Sequence, residues 1–416
     1  MARYGLLGER LGHSFSPYIH RALGGYDYEL IEVSREELGP FLRARDFSAL
    51  NVTIPYKQAV MPYLDSISDT AERIGSVNTI VQDANGGLHG YNTDAYGFIQ
   101  LTRHAGIDVR GRNCLVLGSG GASKTVCACL RKLDAAEITV ISRSGPDNYQ
   151  NLSRHADARI IVNATPVGMY PHNGQSPVNL AQFPQLEGVL DLIYNPARTE
   201  LLLQAEARGI PFGNGLHMLV AQAKQAVELF LNVHLNEEAV SPVAARLARD
   251  TANIVLIGMP GSGKTTVGTL LAQTMGRRLI DTDTEIEKRA GMTCGDCLRR
   301  HGEGDFRALE ALVIAEAGKE TGVIIATGGG AVTRPENRNA LRQNGMLFHL
   351  DRPLEKLART GDRPLSATDG RRAELFARRA PLYAAWRDAA VCRDTAEETA
   401  AEILRVFDRN YQGEQK

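Results

Sequence analysis

Short apolar runs recur along the chain, and most are followed by a stretch whose apolar positions fall at helical spacing. YGLLG, YELIEV, ALNVTI and SVNTIV come first, then ITVISR, ARIIVNAT and GVLDLIY. Strands alternating with helices predict an α/β fold built on open, largely parallel sheets. Two further runs end in glycine-rich turns that lead straight into a helix. Cys114-Leu-Val-Leu-Gly-Ser-Gly-Gly-Ala-Ser enters KTVCACLRKL, and Ile254-Val-Leu-Ile-Gly-Met-Pro-Gly-Ser-Gly-Lys-Thr-Thr enters VGTLLAQTM. Each reads as strand, phosphate loop, helix. The runs before the first turn imply an α/β domain of their own, about 95 residues long. The helical stretch NGLHMLVAQAKQAVELFLNV, apolar on one face, is expected to pack back on that domain, and SPVAARLARD closes the unit. The predicted layout is an α/β substrate domain in 1–98, completed by helices in 215–250, a Rossmann-like domain in 99–214, and a P-loop α/β/α domain in 251–416. The residues from Asp250 to Asn253 leave a linker too short for much freedom, and the Arg-rich LARTGDRPLSATDGRRAE reads as a mobile flap.

Composition narrows the partners. The 47 basic and 48 acidic side chains nearly cancel, so no overall field favours nucleic acid or an anionic membrane, and an anionic ligand must be caught by local groups. Hydrophobic residues at 43% and charged residues at 23% of 416 support several packed cores. No stretch approaches the ~18 apolar residues of a membrane span, so a cytoplasmic protein with reduced thiols is expected. Monomer and homodimer both stay open. Cys294 and Cys297 form a single CxxC without a second ligand pair, read as two small residues facing a core from one helix.

The loop Gly118, Ser119, Gly120, Gly121, Ala122 varies the dinucleotide fingerprint, and the next strand ends in Ser142-Arg143-Ser144 where NAD binders carry an acid. A guanidinium beside hydroxyls suits a 2′-phosphate and favours NADP(H). Gly12-His-Ser-Phe-Ser-Pro17, the loop NVTIPYK ending at Lys57, Gly75-Ser-Val-Asn-Thr79, Asn92-Thr-Asp94, GSGGAS, Asn163-Ala-Thr-Pro-Val-Gly168 and Gly215-Leu-His-Met-Leu-Val-Ala-Gln222 stand in one order over about 240 residues. Together they resemble shikimate dehydrogenase. The resemblance implies a catalytic pair of Lys57, giving a proton to the 3-keto oxygen of 3-dehydroshikimate, and Asp94, holding lysine and substrate hydroxyl. It further implies Ser14 and Ser16 on the ring carboxylate, Thr53, Asn78, Tyr194 and Gln222 on carboxylate or hydroxyls, and Asn163, Thr165 and Met218 against the cofactor. The segment from Arg143 to Ile160 is shorter than the family's usual length, which bears on the adenine side.

The second turn fills GxxxxGK[ST]: amides of Gly261, Ser262 and Gly263, with Lys264, cradle ATP phosphates, while Thr265 helps hold Mg²⁺ and Thr266 follows. Leu279-Ile-Asp281-Thr-Asp283, Gly302-Glu-Gly-Asp-Phe-Arg307, Ala326-Thr-Gly-Gly-Gly330, Arg359-Thr-Gly-Asp-Arg363-Pro-Leu and Arg378-Arg379-Ala-Pro-Leu-Tyr383 resemble shikimate kinase over most of 253–416. By that resemblance Asp281 holds Mg²⁺ through water, Asp283 orients the attacking hydroxyl, and Arg307 and Arg379 clamp the carboxylate. Gly328, Gly329 and Gly330 let backbone approach the ring, Arg363 closes over the transferring phosphate, Arg359 lies against adenine, and Glu310 steadies Arg307. Arg371, Arg372 and Arg378 read as solvated charge.

The expectation is a bifunctional enzyme that reduces 3-dehydroshikimate with NADPH and phosphorylates the shikimate formed with ATP. Two alternatives stand beside it. One keeps the kinase and makes the dehydrogenase-like half a ligand sensor; the other makes that half a quinate/shikimate dehydrogenase using NAD.

Overall fold

The computed structural model describes residues 2–12, 14–358 and 369–412. Its strands form three sheets. In the first, β1 (Tyr4–Gly8), β2 (Glu29–Glu32), β3 (Ala49–Val52), β4 (Ser66–Ile67), β5 (Thr79–Gln82) and β6 (Leu88–Tyr91) take the order β2-β1-β3-β5-β6-β4. The strand β5 runs antiparallel to both its neighbours, and the remaining pairs are parallel. Leu7, Leu50, Val52 and Ile80 bury one face under the helix Leu38–Ala44. The opposite face receives Ala226 and Phe230 of the helix Gly215–Leu231 beside Ala49. That helix starts on a side-chain cap, Asn214 Oδ1 accepting from the Leu216 amide at 3.0 Å.

The second sheet is parallel throughout: β7 (Asn113–Leu117), β8 (Glu137–Ile141), β9 (Ile160–Asn163), β10 (Gly188–Asp191) and β11 (Phe212–Gly213), in the order β11-β10-β9-β7-β8. The chain leaves β7 for β8 on one side and returns to β9 on the other. Ligands of open α/β sheets bind at such a reversal, beyond the carboxyl ends of the strands. Cys114, Val116, Ile160 and Val162 pack there with Phe98 and Leu101 of the helix Asp94–His104 and Val126 and Leu130 of the helix Gly121–Lys132.

The third sheet, β12 (Asn253–Ile257), β13 (Leu279–Asp281), β14 (Ile324–Ala326), β15 (Gly345–Leu350) and β16 (Ala389–Val391), has the order β13-β14-β12-β15-β16, again all parallel. Every residue of β12 is buried, because helices cover both faces. Val255 and Ile257 face a core with Ile314, Leu341 and Tyr383, whereas Ile254 and Leu256 face Val267, Leu271, Ile403 and Phe407. Each such side chain contributes roughly 1.5–3 kcal/mol by leaving water.

Packing divides the chain into two compact units. One comprises Met1–Val167, Ser176–Tyr194 and Gln204–Ala244, with the first two sheets. The other comprises Gly168–Gln175, Asn195–Leu203 and Ala245–Lys416, with the third. Cys297 is packed with Ile286, Phe306 and Val313. Among the described residues, no helix is long and apolar enough to cross a membrane.

Candidate active sites

The loop after β3 carries the lysine. Tyr56 anchors it: the ring is buried and the hydroxyl donates to the Val33 carbonyl at 2.6 Å. Lys57 is thereby left pointing at the first residue of the helix Asp94–His104, and its Nζ lies 2.5 Å from Asp94 Oδ2. The side chains keep 30% and 19% of their exposure, so the pair can reach a ligand from solvent. Beside it lies a buried polar network. Asn78 Oδ1 accepts from the Thr93 amide at 2.7 Å and from Thr79 Oγ1 at 3.0 Å, while Asn78 Nδ2 donates to Thr93 Oγ1 at 3.0 Å. Thr93 Oγ1 is 3.3 Å from Gln222 Oε1, which brings the helix Gly215–Leu231 to the site. Neutral donors and acceptors of this kind suit a polyol ring.

Ser14 Oγ accepts from the Ser16 amide at 3.2 Å, so the two hydroxyl residues share one turn. The Tyr194 ring packs at a tilt against that of Phe15, which stands between them, with 5.9 Å between centroids. Thr53 starts the lysine loop, its amide donating to the Leu7 carbonyl at 2.9 Å.

Beyond β7 the chain turns at Gly118, where φ is 105° and a Cβ would stand 2.9 Å from Thr165 Cγ2. Only glycine suits that position. Ser119, Gly120, Gly121 and Ala122 are exposed, and the helix Gly121–Lys132 begins without a side-chain cap. Its first amides are thus available to an anion, and open space surrounds Gly120 and Gly121. Opposite, Asn163 is fully buried: Nδ2 donates to Asp191 Oδ1 at 3.0 Å, and Oδ1 accepts from Thr165 Oγ1 at 2.7 Å. Met218 packs its backbone against Gly97. This cradle fits a dinucleotide pyrophosphate. Ser142 closes a bridge to Asn148 at the end of β8, and Arg143 beyond it is exposed.

The second loop follows β12. Gly261 has φ 80°, with the Ala358 carbonyl where a Cβ would go, and Gly263 starts the helix Lys264–Met275 without a side-chain cap. Lys264 Nζ donates to the carbonyls of Gly258 at 2.8 Å and Met259 at 2.9 Å. Ser262 is buried, and its Oγ has no partner among the described residues. Thr265 Oγ1 donates to Asp281 Oδ2 at 2.7 Å, while Asp281 Oδ1 caps the next helix through the Asp283 amide at 3.0 Å. A hydroxyl and a carboxylate at the foot of a phosphate loop are the oxygen donors that Mg²⁺ takes. Thr266 is exposed.

The acceptor side gathers around the glycine turn after β14. The helix Cys294–Ala317 breaks at Gly302, and the piece after the break carries Arg307 and Glu310. Arg307 Nη1 donates to Glu310 Oε2 at 2.7 Å, and both side chains are buried. Burial lifts the Glu310 carboxyl above its ordinary range against the pull of the arginine. Arg379 Nη1 donates to the Gly329 carbonyl at 3.1 Å. Burial lowers its basicity, and the nearby Arg307 charge adds to the effect. The Nε atoms of both arginines are buried without a partner among the described residues. Two buried guanidiniums against one glycine turn favour an anion beside it. A Cβ on Gly328 would stand 2.5 Å from Asp283 Oδ1, and one on Gly330 would overlap the Arg307 guanidinium.

The geometry therefore brings together Lys57 with Asp94, Asn78 and Gln222 through Thr93, Ser14 with Ser16, Asn163 with Thr165, Thr265 with Asp281, and Arg307, Arg379 and Asp283 with the glycine turn. Arg359 and Arg363 lie outside the described residues, as does most of the expected flap. Arg378 is exposed, whereas Arg372 donates to the Leu357 carbonyl at 2.9 Å, a contact at odds with its reading as solvated charge. Thr93 and Tyr383 went unassigned in the sequence, although both stand inside its motifs.

Fold and sites define a chain of two nucleotide-dependent α/β enzymes, a dehydrogenase type followed by a P-loop kinase type. Residues 6–80 match the shikimate dehydrogenase substrate binding domain and residues 260–408 match shikimate kinase. The shikimate dehydrogenase (NADP(+)) of Clostridium beijerinckii is 38% identical over 260 residues, 57% of this chain and 95% of that one. A chorismate mutase/shikimate 5-dehydrogenase fusion protein from Clostridium acetobutylicum superposes with a TM-score of 0.57 at 37% identity, covering 59% of this chain and 96% of that one. Shikimate 5-dehydrogenase of Thermus thermophilus, solved with NADP(H) and shikimate, gives 0.54 at 34% identity, covering 59% and 99%. The chain belongs to the shikimate dehydrogenase family and carries a shikimate kinase domain in its C-terminal part.

Proposed function

We infer that the chain is a bifunctional enzyme of the shikimate pathway that reduces 3-dehydroshikimate to shikimate with NADPH and phosphorylates shikimate with ATP. The contact between Lys57 and Asp94 carries the reading, because a module that only binds needs neither group. In the reduction, Lys57 donates a proton to the 3-keto oxygen as hydride arrives at the carbon, and Asp94 holds the ammonium in place and accepts from the substrate hydroxyl. Asn78, Thr93 and Gln222 orient the ring, and Ser14 and Ser16 receive its carboxylate. The first amides of the helix Gly121–Lys132, with Asn163, Thr165 and Met218, would hold the cofactor, and Arg143 would meet its 2′-phosphate.

In the phosphorylation, Asp283 accepts from the attacking hydroxyl, whose oxygen bonds to the γ-phosphorus as the bond to ADP breaks. Arg307 and Arg379 clamp the ring carboxylate, and Lys264 steadies the phosphates. Thr265 and Asp281 would hold Mg²⁺, which screens phosphate charge when bound. Both reactions belong to the cytoplasm, where NADPH and ATP are supplied. A single incubation with 3-dehydroshikimate, NADPH and ATP tests the whole reading. NADPH consumption should precede ADP release; no NADPH oxidation with 3-dehydroshikimate, beside ADP formation when shikimate is supplied directly, would reduce the first half to a sensor.

A further inference from the structure

The Gly329 carbonyl receives two side-chain hydrogen bonds, from Tyr383 Oη at 2.5 Å and from Arg379 Nη1 at 3.1 Å. The turn around it has no room to drift. A Cβ on Gly329 would stand 2.6 Å from Pro260 Cδ of the phosphate loop, while those on Gly328 and Gly330 would strike Asp283 and Arg307. One stretch of backbone thus touches the nucleotide side and the acceptor side of the kinase half at once. Tyr383 is buried and its ring stacks on His349 at 4.9 Å between centroids and 18° between planes. His349 belongs to β15, and its Cδ2 is 3.6 Å from where a Cβ of Gly258 would stand. The path therefore closes on itself, from phosphate loop to imidazole, phenol, glycine turn and back to the loop. Burial pushes the Tyr383 hydroxyl up to about 12, so it stays a donor at neutral pH.

We propose that Tyr383 is a positioning residue for phosphoryl transfer, registering the acceptor-side glycine turn to the phosphate loop through its hydrogen bond to Gly329 and its stack on His349. The proposal rests on the reading of this half as a shikimate kinase. It separates two things a tyrosine in a core can do. A filler of space would affect both substrates alike; a register pin affects the acceptor, because Arg379 and Arg307 grip relative to the turn.

The test is steady-state kinase kinetics on the full chain for Tyr383→Phe, with NADPH-dependent turnover by the same molecules as an internal measure of intact chain and nucleotide binding as a check on the kinase fold. KM for shikimate should rise about tenfold, the weight of one buried hydrogen bond, with KM for ATP and kcat within about twofold. His349→Phe, which keeps a ring against the phenol, should stay within about threefold of wild type in the same KM. His349→Ala should raise it by about two- to tenfold, the weight of an aromatic pair. An unchanged KM for shikimate in Tyr383→Phe, or equal rises for both substrates, overturns the proposal. A wild-type chain that fails to phosphorylate shikimate overturns the kinase reading, and the proposal with it.

Discussion

The ammonium of Lys57 and the carboxylate of Asp94 meet at 2.5 Å across 37 residues of sequence, joining the loop after β3 to the first residue of a helix. Neither is sealed from solvent, so the contact is one that a substrate hydroxyl can enter. Lys57→Ala should lower dehydrogenase kcat by about 10²–10⁴-fold, the usual range for loss of a proton donor. KM for 3-dehydroshikimate should stay within about tenfold, since a donor and not an anchor has gone. NADPH absorbance measures both, and a KM effect larger than the kcat effect would remove the lysine from its role.

Asp283 sits against Gly328, at the start of the helix that Asp281 caps. Asp283→Asn keeps the shape and removes the base. Shikimate phosphorylation should fall by about 10²-fold or more, with ATP affinity within about twofold. Isothermal titration beside a coupled ADP assay decides it, and wild-type turnover would refute the assignment.

Gly330 leaves no space for a methyl group, because the Arg307 guanidinium fills that volume. Gly330→Ala should push Arg307 out of its place beside Glu310 and raise KM for shikimate in the kinase reaction by more than about tenfold. Dehydrogenase turnover in the same variant should remain at the wild-type level.

His217 lies in the first turn of the helix that also carries Met218 and Gln222, and stacks on His104 at 3.9 Å. Burial, helped by His104, pushes its imidazole down to about 4. The unfolded chain takes up that proton near pH 6.5 and the folded chain does not, so stability is lost as pH falls from about 6.5 towards 4. At pH 5 the loss is of the order of 2 kcal/mol for this site. His217→Phe keeps a stacking ring and removes the titration. Its urea midpoint should therefore gain on that of wild type as pH drops from 7 to 5, and parallel curves would rule the effect out.

The two glycine loops were legible because their signal is local: strand, tight turn and helix follow within about a dozen residues. The two buried faces of β12 follow likewise from its uninterrupted apolar run. Lys57 and Asp94 were legible only as parts of motifs, since nothing in a span of 37 residues says that two side chains meet. Thr93 escaped for a related reason. Its contact with Gln222 spans 129 positions, and a threonine beside an aspartate reads as a helix start. Tyr383 looks like any core tyrosine until its hydroxyl is seen on Gly329. The grouping of Asn195–Leu203 with the second unit was equally hidden, because motif order marks where a domain begins and not which strands its neighbours lean on.

The Asn78 amide has its orientation fixed, for its oxygen faces the Thr93 amide and two hydroxyl groups, and only one hydrogen of its nitrogen goes to Thr93. The other hydrogen has no partner among the described residues, and under the proposed function a hydroxyl of the ring would meet it in a place where water has little access. A ring analogue lacking the matching hydroxyl would leave that hydrogen stranded. The pocket should then discriminate by refusal of the deoxy compound more than by extra grip on the right one, a form of selectivity set before any chemistry begins.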